Sequence, residues 1–378
     1  MMTELERTYA QVDLDAIRHN ILEIKNHIKT GTKVMAIVKA DAYGHGAVKV
    51  AGALKDMVDA FGVAIIEEAV ELRESGIQSM ILILGFTPEC AFDQVVKHHI
   101  SQTVYTYSMA ENLSRTAKRL NETVKVHIKL DTGMSRIGFF PNEESVEIVK
   151  KIAQLPNLEI EGMFTHFARA DEETIEPAKE PFRRYMEFAR RLEEEGIDIP
   201  IKHVANSASI IGFSQAHLDM VRSGITTYGL YPSQKVSKDI IHLRPAMQWK
   251  SHVSFLKDIE PGTSVGYGGT FTASERMKIA TIPVGYADGM RRDLSGRGQV
   301  LIRGERAKIL GRICMDQFMV DVTHIKDVRM GDEVTIFGQD GEAVLPVEEV
   351  ADLAHSFNYE FVCCVSQRVP RKYIGEKE

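Results

Sequence analysis

Lys33-Val34-Met35-Ala36-Ile37-Val38-Lys39-Ala40, followed by Asp41-Ala42-Tyr43-Gly44-His45-Gly46, is the stretch on which the reading of this chain turns. Its apolar, β-branched run predicts a buried strand over 33–40. Seven further runs of the same kind follow before residue 230: Ala60–Ile66, Met80–Gly85, Gln102–Thr106, Val124–Asp131, Leu158–His166, Lys202–Asn206 and Met220–Gly224. Most are separated by stretches with helical apolar spacing, such as Ala178–Glu195 with Phe182, Tyr185, Phe188, Ala189 and Leu192. Eight strands alternating with helices over this length predict a TIM-type (β/α)8 barrel rather than an open doubly wound sheet. The glycine fingerprint GxGxxG does not follow the first strand, which argues against a dinucleotide fold.

The pattern changes near Leu230–Arg244, a stretch punctuated by Pro232 and Pro245. Beyond it lie strand-like runs at Gln248–Asp258, Met277–Val284, Val300–Arg303, Phe318–Val322, Glu333–Phe337 and Phe361–Ser366, with a short helix expected at Glu348–His355. The chain therefore divides into an α/β barrel over 1–240 and a mostly β domain over 241–378, with residues 1–12 available to pair with the second domain. The sequence has 378 residues, 44% of them hydrophobic and 26% charged, with a net charge of −7. That is the profile of a globular protein with a sizeable core, and it lacks the basic balance of a nucleic-acid binder. No apolar run is long enough to span a bilayer, and Met1–Tyr9 lacks the apolar region of a signal peptide. Cys90, Cys314, Cys363 and Cys364 form no CxxC pair; a reducing cytoplasm is the simplest location, and no metal site is expected.

Lys39 is the first candidate for chemistry. A buried ammonium is costly unless paired or neutralised, and the C-terminal ends of barrel strands are where barrel enzymes place their reactive groups. A lysine converted to a Schiff base meets both conditions; a strand-end lysine reaching solvent would also satisfy this segment taken alone.

The segment resembles the pyridoxal-phosphate site of alanine racemases, and the likeness continues along the chain. Lys129-Leu130-Asp131-Thr132-Gly133-Met134-Ser135-Arg136-Ile137-Gly138, Phe164-Thr165-His166-Phe167, His203-Val204-Ala205-Asn206-Ser207-Ala208 and Val221-Arg222-Ser223-Gly224-Ile225 follow in the family's order. In the second half come Val265-Gly266-Tyr267-Gly268, Pro283-Val284-Gly285-Tyr286-Ala287-Asp288-Gly289, Gly311-Arg312-Ile313-Cys314-Met315-Asp316-Gln317 and Arg368-Val369-Pro370-Arg371. A series of motifs in order over the whole chain is far more specific than any one of them.

The resemblance implies pyridoxal 5'-phosphate held by Lys39, with Tyr43, His166, Ser207, Arg222, Gly224 and Ile225 as further cofactor contacts. The loops after the seventh and eighth strands, carrying Ser207, Gly224 and Ile225, are also where barrels bind phosphate; Ser207 is equally placed to cap the helix that follows. Lys39 and Tyr267 become the bases on the two faces of Cα, assisted by His166 and Arg222, and Arg136, Met315 and Asp316 meet the substrate carboxylate. Arg222 faces the pyridine nitrogen; being able only to donate, it leaves that nitrogen unprotonated and favours proton return over transamination. Lys129 corresponds to a lysine that is carbamylated in many members; an ordinary Lys–Asp pair is the alternative. Tyr286 and Gln367 flank the substrate gate. The implied assembly is a homodimer with shared active sites, taking a small amino acid and supplying D-alanine for peptidoglycan. Three departures stand out: Gln367 replaces a tyrosine, Ser135 a glycine and Ser223 an aromatic. The first opens a broader racemase, accepting serine or larger side chains, as an alternative. A cofactor-binding protein without turnover is a remote third, since such relatives lack the second domain.

Overall fold

The computed structural model describes residues 6–376. They form two compact units: one of residues 16–42 and 46–244, the other of the residues up to Asp15, 43–45, and Pro245 onward.

The first strand, β1 (Thr8–Asp13), belongs to the second unit. The first unit contains β2 (Lys33–Ile37), β3 (Ala60–Val63), β4 (Met80–Ile83), β5 (Ser101–Val104), β6 (Val124–Lys129), β7 (Leu158–Phe164), β8 (Ile201–His203) and β9 (Met220–Ser223). All pair in parallel, in the order β8-β7-β6-β5-β4-β3-β2-β9. Asp219 N–H donates to Lys202 O at 3.1 Å and Arg222 N–H to Ala205 O at 3.0 Å, so the two ends of that path meet and the sheet closes. This is the expected (β/α)8 barrel, with all eight predicted strands present. The intervening helices cover it by amphipathic spacing. Helix Glu176–Glu194 buries Ala178, Tyr185, Phe188, Ala189 and Leu192, the larger of which contribute about 1.5–3 kcal/mol each. Helix Tyr107–Leu120 starts where Thr106 accepts the Met109 N–H at 3.2 Å and ends at Asn121, whose φ of 56° stops it.

Most barrel strands end earlier than the apolar pattern predicts, most consequentially β2. It stops at Ile37, and after Lys39 four consecutive non-glycine residues, Ala40, Asp41, Ala42 and Tyr43, adopt φ of 52–54°. Left-handed backbone costs L-residues roughly 1–2 kcal/mol each, so apolar periodicity gives no hint of it. Side chains of the barrel hold the first part of the turn: Glu68 Oε1 accepts the Ala40 N–H at 2.6 Å and Asp41 Oδ1 accepts the Ala47 N–H at 2.7 Å.

The second unit is built on antiparallel pairing. After β1 come Met247–His252, Phe255–Ile259, Met277–Ile282, Gln299–Ile302, Glu305–Leu310, Phe318–Asp321 and Glu333–Asp340, with the closing strand Arg371–Ile374. β1 lies between Met247–His252, antiparallel, and Arg371–Ile374, parallel. Trp249, fully buried, donates its indole N–H to Thr8 Oγ1 at 2.9 Å. Two sequence expectations need correction here. The run Gln248–Asp258 is two strands, broken at Val253-Ser254. Phe361–Ser366 is not a strand: Asn358–Cys364 is a helix burying Phe361 and Val362, since a short apolar run does not distinguish helix from strand by periodicity. Among the described residues no helix is long and apolar enough to cross a membrane.

Candidate active site

In the barrel, the half-buried Lys39 stands just past β2, at the strands' C-terminal end. His166 follows β7 by two residues, Ser207 lies beyond β8, and Arg222 is within β9. Arg136 lies seven residues past Lys129, in a loop organised by one carboxylate. Asp131 Oδ1 accepts the N–H groups of Gly133, Met134 and Ser135 at 2.9, 3.0 and 3.0 Å, and its Oδ2 accepts that of Arg136 at 3.1 Å. Ser135 sits at φ 56°, backbone that favours glycine.

Arg222 is only 4% exposed. Its guanidinium donates to the carbonyls of His203, Thr165 and Val204 at 2.9, 2.8 and 3.1 Å and to Nδ1 of His203 and of His166 at 3.1 and 3.4 Å. Burial pulls its pKa down to about 10, leaving it cationic at neutral pH. Burial, then the charges of Arg222, Arg136, Lys129 and Lys39, hold His166 well below the ordinary imidazole range. His166 is therefore neutral, and with Nδ1 accepting from Arg222 its proton lies on Nε2. Lys129, 2% exposed, is lowered to about 7 by burial and by Arg222, against the opposing pull of Asp131. Its ammonium donates to Leu130 O, while the Asp131 oxygens are committed to the loop.

Ser207 is not the helix cap. Asn206 caps Ser207–Gly212 through a reciprocal pair with Ser209. The freed Ser207 Oγ lies 2.9 Å from the Gly224 nitrogen, 3.5 Å from that of Thr226 and 3.0 Å from Thr226 Oγ1. Gly224 precedes the tight turn Ile225–Tyr228. Ser223 joins Thr226 and Thr227 in a buried hydroxyl cluster at 3.0 and 2.7 Å.

This donor set fits pyridoxal 5'-phosphate. The hydroxyls of Ser207 and Thr226 and the N–H groups of Gly224 and Thr226 converge, a donor set that suits a phosphate. A strand-end lysine suits an aldehyde, and Arg222, which can only donate, suits an unprotonated pyridine nitrogen.

The second unit gathers Tyr267, Tyr286, Met315, Asp316 and Gln367. The turn Gly285–Asp288 is fastened to the segment 314–316 by Tyr286 N–H to Cys314 O at 3.1 Å and Ala287 N–H to Met315 O at 3.0 Å. Gly285 is required there, since a Cβ would lie 2.2 Å from Met315 O. Ser366, beside Gln367, donates to the Asp288 and Ala287 carbonyls, both at 3.0 Å. Asp288, fully buried, is an anchor to which the sequence motif gave no role: Arg7 reaches its two oxygens at 2.8 and 2.6 Å, and burial is outweighed by these bonds, so its pKa is lowered. Arg368 pairs with Asp316 at 2.9 Å. Gly266, Tyr267, Cys314, Met315, Asp316, Gln317 and Met319 line a concavity of about 380 Å³. Tyr267 is 69% and Met315 53% exposed on it. Tyr43, buried, groups with this unit, its ring centroid 6.1 Å from that of Tyr359.

Comparison with known proteins gives a consistent result. The family described as alanine racemase, N-terminal domain, matches residues 12–232, and that described as alanine racemase, C-terminal domain, matches residues 246–373. The chain is 44% identical over 378 residues to an alanine racemase of Clostridium tetani, covering 100% of this chain and 97% of that one. It is 47% identical over 367 residues to an alanine racemase of Methanococcus maripaludis, covering 97% and 98%. Among solved structures, alanine racemase of Clostridium difficile 630 superposes with a TM-score of 0.95 at 44% identity, covering 98% and 97% of the two chains. Its complex with cycloserine gives 0.92 at 42%, covering 98% and 96%. With both halves matched in order and the likeness extending over whole chains, this chain belongs to the alanine racemase family.

Proposed function

We propose that the protein interconverts L- and D-alanine with pyridoxal 5'-phosphate, as a homodimer in which each active site draws on two copies of the chain. The observation that carries the reading is the cluster around Arg222: a buried, donor-only cation beside a neutral His166, on the barrel rim that also carries Lys39. In this reading Lys39 and Tyr43 join His166, Ser207, Arg222, Gly224 and Ile225 in holding the cofactor. When bound, pyridoxal 5'-phosphate supplies an electron sink that acidifies the Cα–H of an attached amino acid.

The residues of the chain do the rest. Arg222, still cationic at neutral pH, donates to the ring nitrogen and does not accept its proton. Lys39 takes and returns the Cα proton on one face; Tyr267 of a second copy does so on the other. A phenol is a weak base, with an ordinary pKa near 10. His166, held neutral with its proton on Nε2, donates to the phenolate and steadies it. Arg136, Met315 and Asp316 orient the substrate carboxylate, with Tyr286 and Gln367 at the gate. Lys129, lowered to about 7, is neutral enough to add CO2 and become an anion beside Arg136. The exposed Tyr267 and Met315 support the shared site, because a proton-transfer group needs shelter from water. We further place the enzyme in the cytoplasm, supplying D-alanine to peptidoglycan synthesis.

Gln367 lies in the exposed turn after Ser366, and nothing in the fold or the relatives favours a broader substrate range. The deciding assay incubates the holoenzyme with L-alanine in D2O. D-Alanine deuterated at Cα should appear, and borohydride should fix the cofactor on Lys39 by mass. Release of pyruvate without D-alanine, or an adduct on another lysine, rejects the reading.

A further inference from the structure

Deep in the barrel, on the side away from the rim, lies a set of polar side chains to which neither the motifs nor the proposed reaction gives a role. β6 carries Lys125, His127 and Lys129 at alternate positions, which share one face of a strand. The pairing of β6 with β7 shifts register between Val126 and His127: Val126 faces Ile160 and His127 faces Gly162, leaving Glu161 as the extra residue of a bulge. Bulges re-aim side chains, and here Glu161 is brought within hydrogen-bonding distance of His127. Gly162 makes room, since a Cβ there would fall 2.4 Å from His127 Cε1.

The contacts form a continuous line. Arg222 Nη1 lies 3.1 Å from His203 Nδ1. His203 Nε2 lies 2.9 Å from His127 Nδ1. His127 Nε2 lies 3.2 Å from Glu161 Oε2, which also accepts Ser101 Oγ–H at 2.6 Å, while Lys125 Nζ donates to Oε1 at 2.9 Å. The chemistry of the two ends orders every proton between them. A guanidinium only donates, so His203 Nδ1 must accept and its proton lies on Nε2. His203 then donates to His127 Nδ1, which puts the His127 proton on Nε2, and a carboxylate only accepts.

We propose that Glu161 is the counter-charge and positioning residue of Arg222, acting through His203 and His127 as a one-way hydrogen-bond line that fixes both imidazole tautomers and keeps the guanidinium aimed at the cofactor. This rests on the role given to Arg222 above. The partners of Arg222 in the line and on the rim are carbonyls and imidazoles, and no carboxylate among the described residues hydrogen-bonds it. A buried cation left without a charge partner is costly, and Glu161 supplies the anion at the far end. The ionisation states agree: burial keeps His127 and His203 neutral, while the bonds from His127, Ser101 and Lys125 outweigh burial and hold Glu161 down to about 2. Histidine in these positions cannot be replaced by an apolar residue without breaking the line, nor by a cation without opposing Arg222.

Neutron diffraction from the full-length holoenzyme reads the ring protons directly. Both rings should carry a single proton, on Nε2; a proton on Nδ1 of either ring overturns the proposal. Glu161→Gln keeps the shape but adds a donor, so either proton order becomes available. Its kcat should fall about tenfold, the scale of one charge-assisted hydrogen bond, with KM within about twofold, and the absorption of the bound cofactor should shift. Gly162→Ala, which displaces the His127 ring but leaves every charge in place, should lower kcat in the same way. Thermal melting of both variants confirms folding before the rates are read. Unchanged kcat and spectrum in a folded Glu161→Gln enzyme, or a loss confined to KM, overturns the role. If the wild type does not racemise alanine, the functional reading fails, and the proton positions still decide the line.

Discussion

The rim of the barrel and the concave face of the second unit both carry parts of the proposed chemistry and are built in opposite ways. Arg222 on the rim is 4% exposed and held by five hydrogen bonds through Nη1 and Nη2; Tyr267 on the other face is 69% exposed. In the barrel, burial sets the charges: His166 neutral, Lys129 near 7, Arg222 still cationic. On the second unit the backbone is fixed by Asp288 and the turn Gly285–Asp288, while the Tyr267 phenol is exposed. The difference teaches that preorganisation has two forms. One half fixes its electrostatics within its own fold. The other fixes only positions and leaves its phenol exposed.

The largest test of that contrast is Lys39→Ala. Racemisation should fall by about 10⁴-fold or more, with the barrel still folded; appreciable turnover by the variant would remove Lys39 from the chemistry. Tyr267→Phe should lower racemisation by about 10²–10⁴-fold while cofactor binding, followed by absorbance, is unchanged. Mixing the two inactive variants sharpens the point. If sites draw on two copies, subunit exchange produces mixed dimers with one intact site, restoring about one quarter of wild-type activity at random pairing. No recovery after demonstrated exchange would assign Tyr267 to its own chain's site.

Lys129 gives the next largest effect. Its amine is lowered to about 7 from the usual 10.5, so it is mostly neutral above pH 7 and mostly ammonium below. Only the neutral amine adds CO2. Excluding bicarbonate at pH 8 should therefore lower kcat by about tenfold, the scale of one lost charge-assisted contact, and added bicarbonate should restore it. At pH 6 the two preparations should converge, and activity insensitive to bicarbonate at both pH values would leave Lys129 unmodified. The smallest expected effect is that of Ser135→Gly. Relieving a left-handed φ should stabilise the Arg136 loop by about 1 kcal/mol, read as a higher unfolding midpoint with activity retained; a lower midpoint would mean that Ser135 is not strained.

How legible this was follows from the physics of each part. The barrel strands are readable where they are buried on both faces and so stay apolar, as in Val34–Val38. Strand ends are not, because the left-handed turn after Lys39 is imposed by Glu68 and Asp41, whose carboxylates meet backbone N–H groups that no local pattern announces. The rim residues could be named from motifs, yet Asp131 and Asp288 carry no reactive atom, and only the folded loops show how many N–H groups and guanidines they hold. Glu161 was the least visible. On a regular strand it would share a face with Glu159 and Met163, and a one-residue bulge re-aims it. Alternation in Lys125, His127 and Lys129 was the one available sign that β6 turns polar groups toward the interior.

The strand Thr8–Asp13 has a consequence for how the protein is made. It leaves the ribosome well before its partners, Met247–His252 and Arg371–Ile374, and Ala10 N–H finds its acceptor on Pro370. At roughly 5–20 residues per second, the first partner arrives on the order of 10–50 s later and the second later still. During that interval the barrel segment is emerging and free to fold, while Thr8–Asp13 presents two unpaired edges, the kind of template that recruits other strands. Yield in cells should thus depend on keeping this one segment shielded until its partner strands emerge.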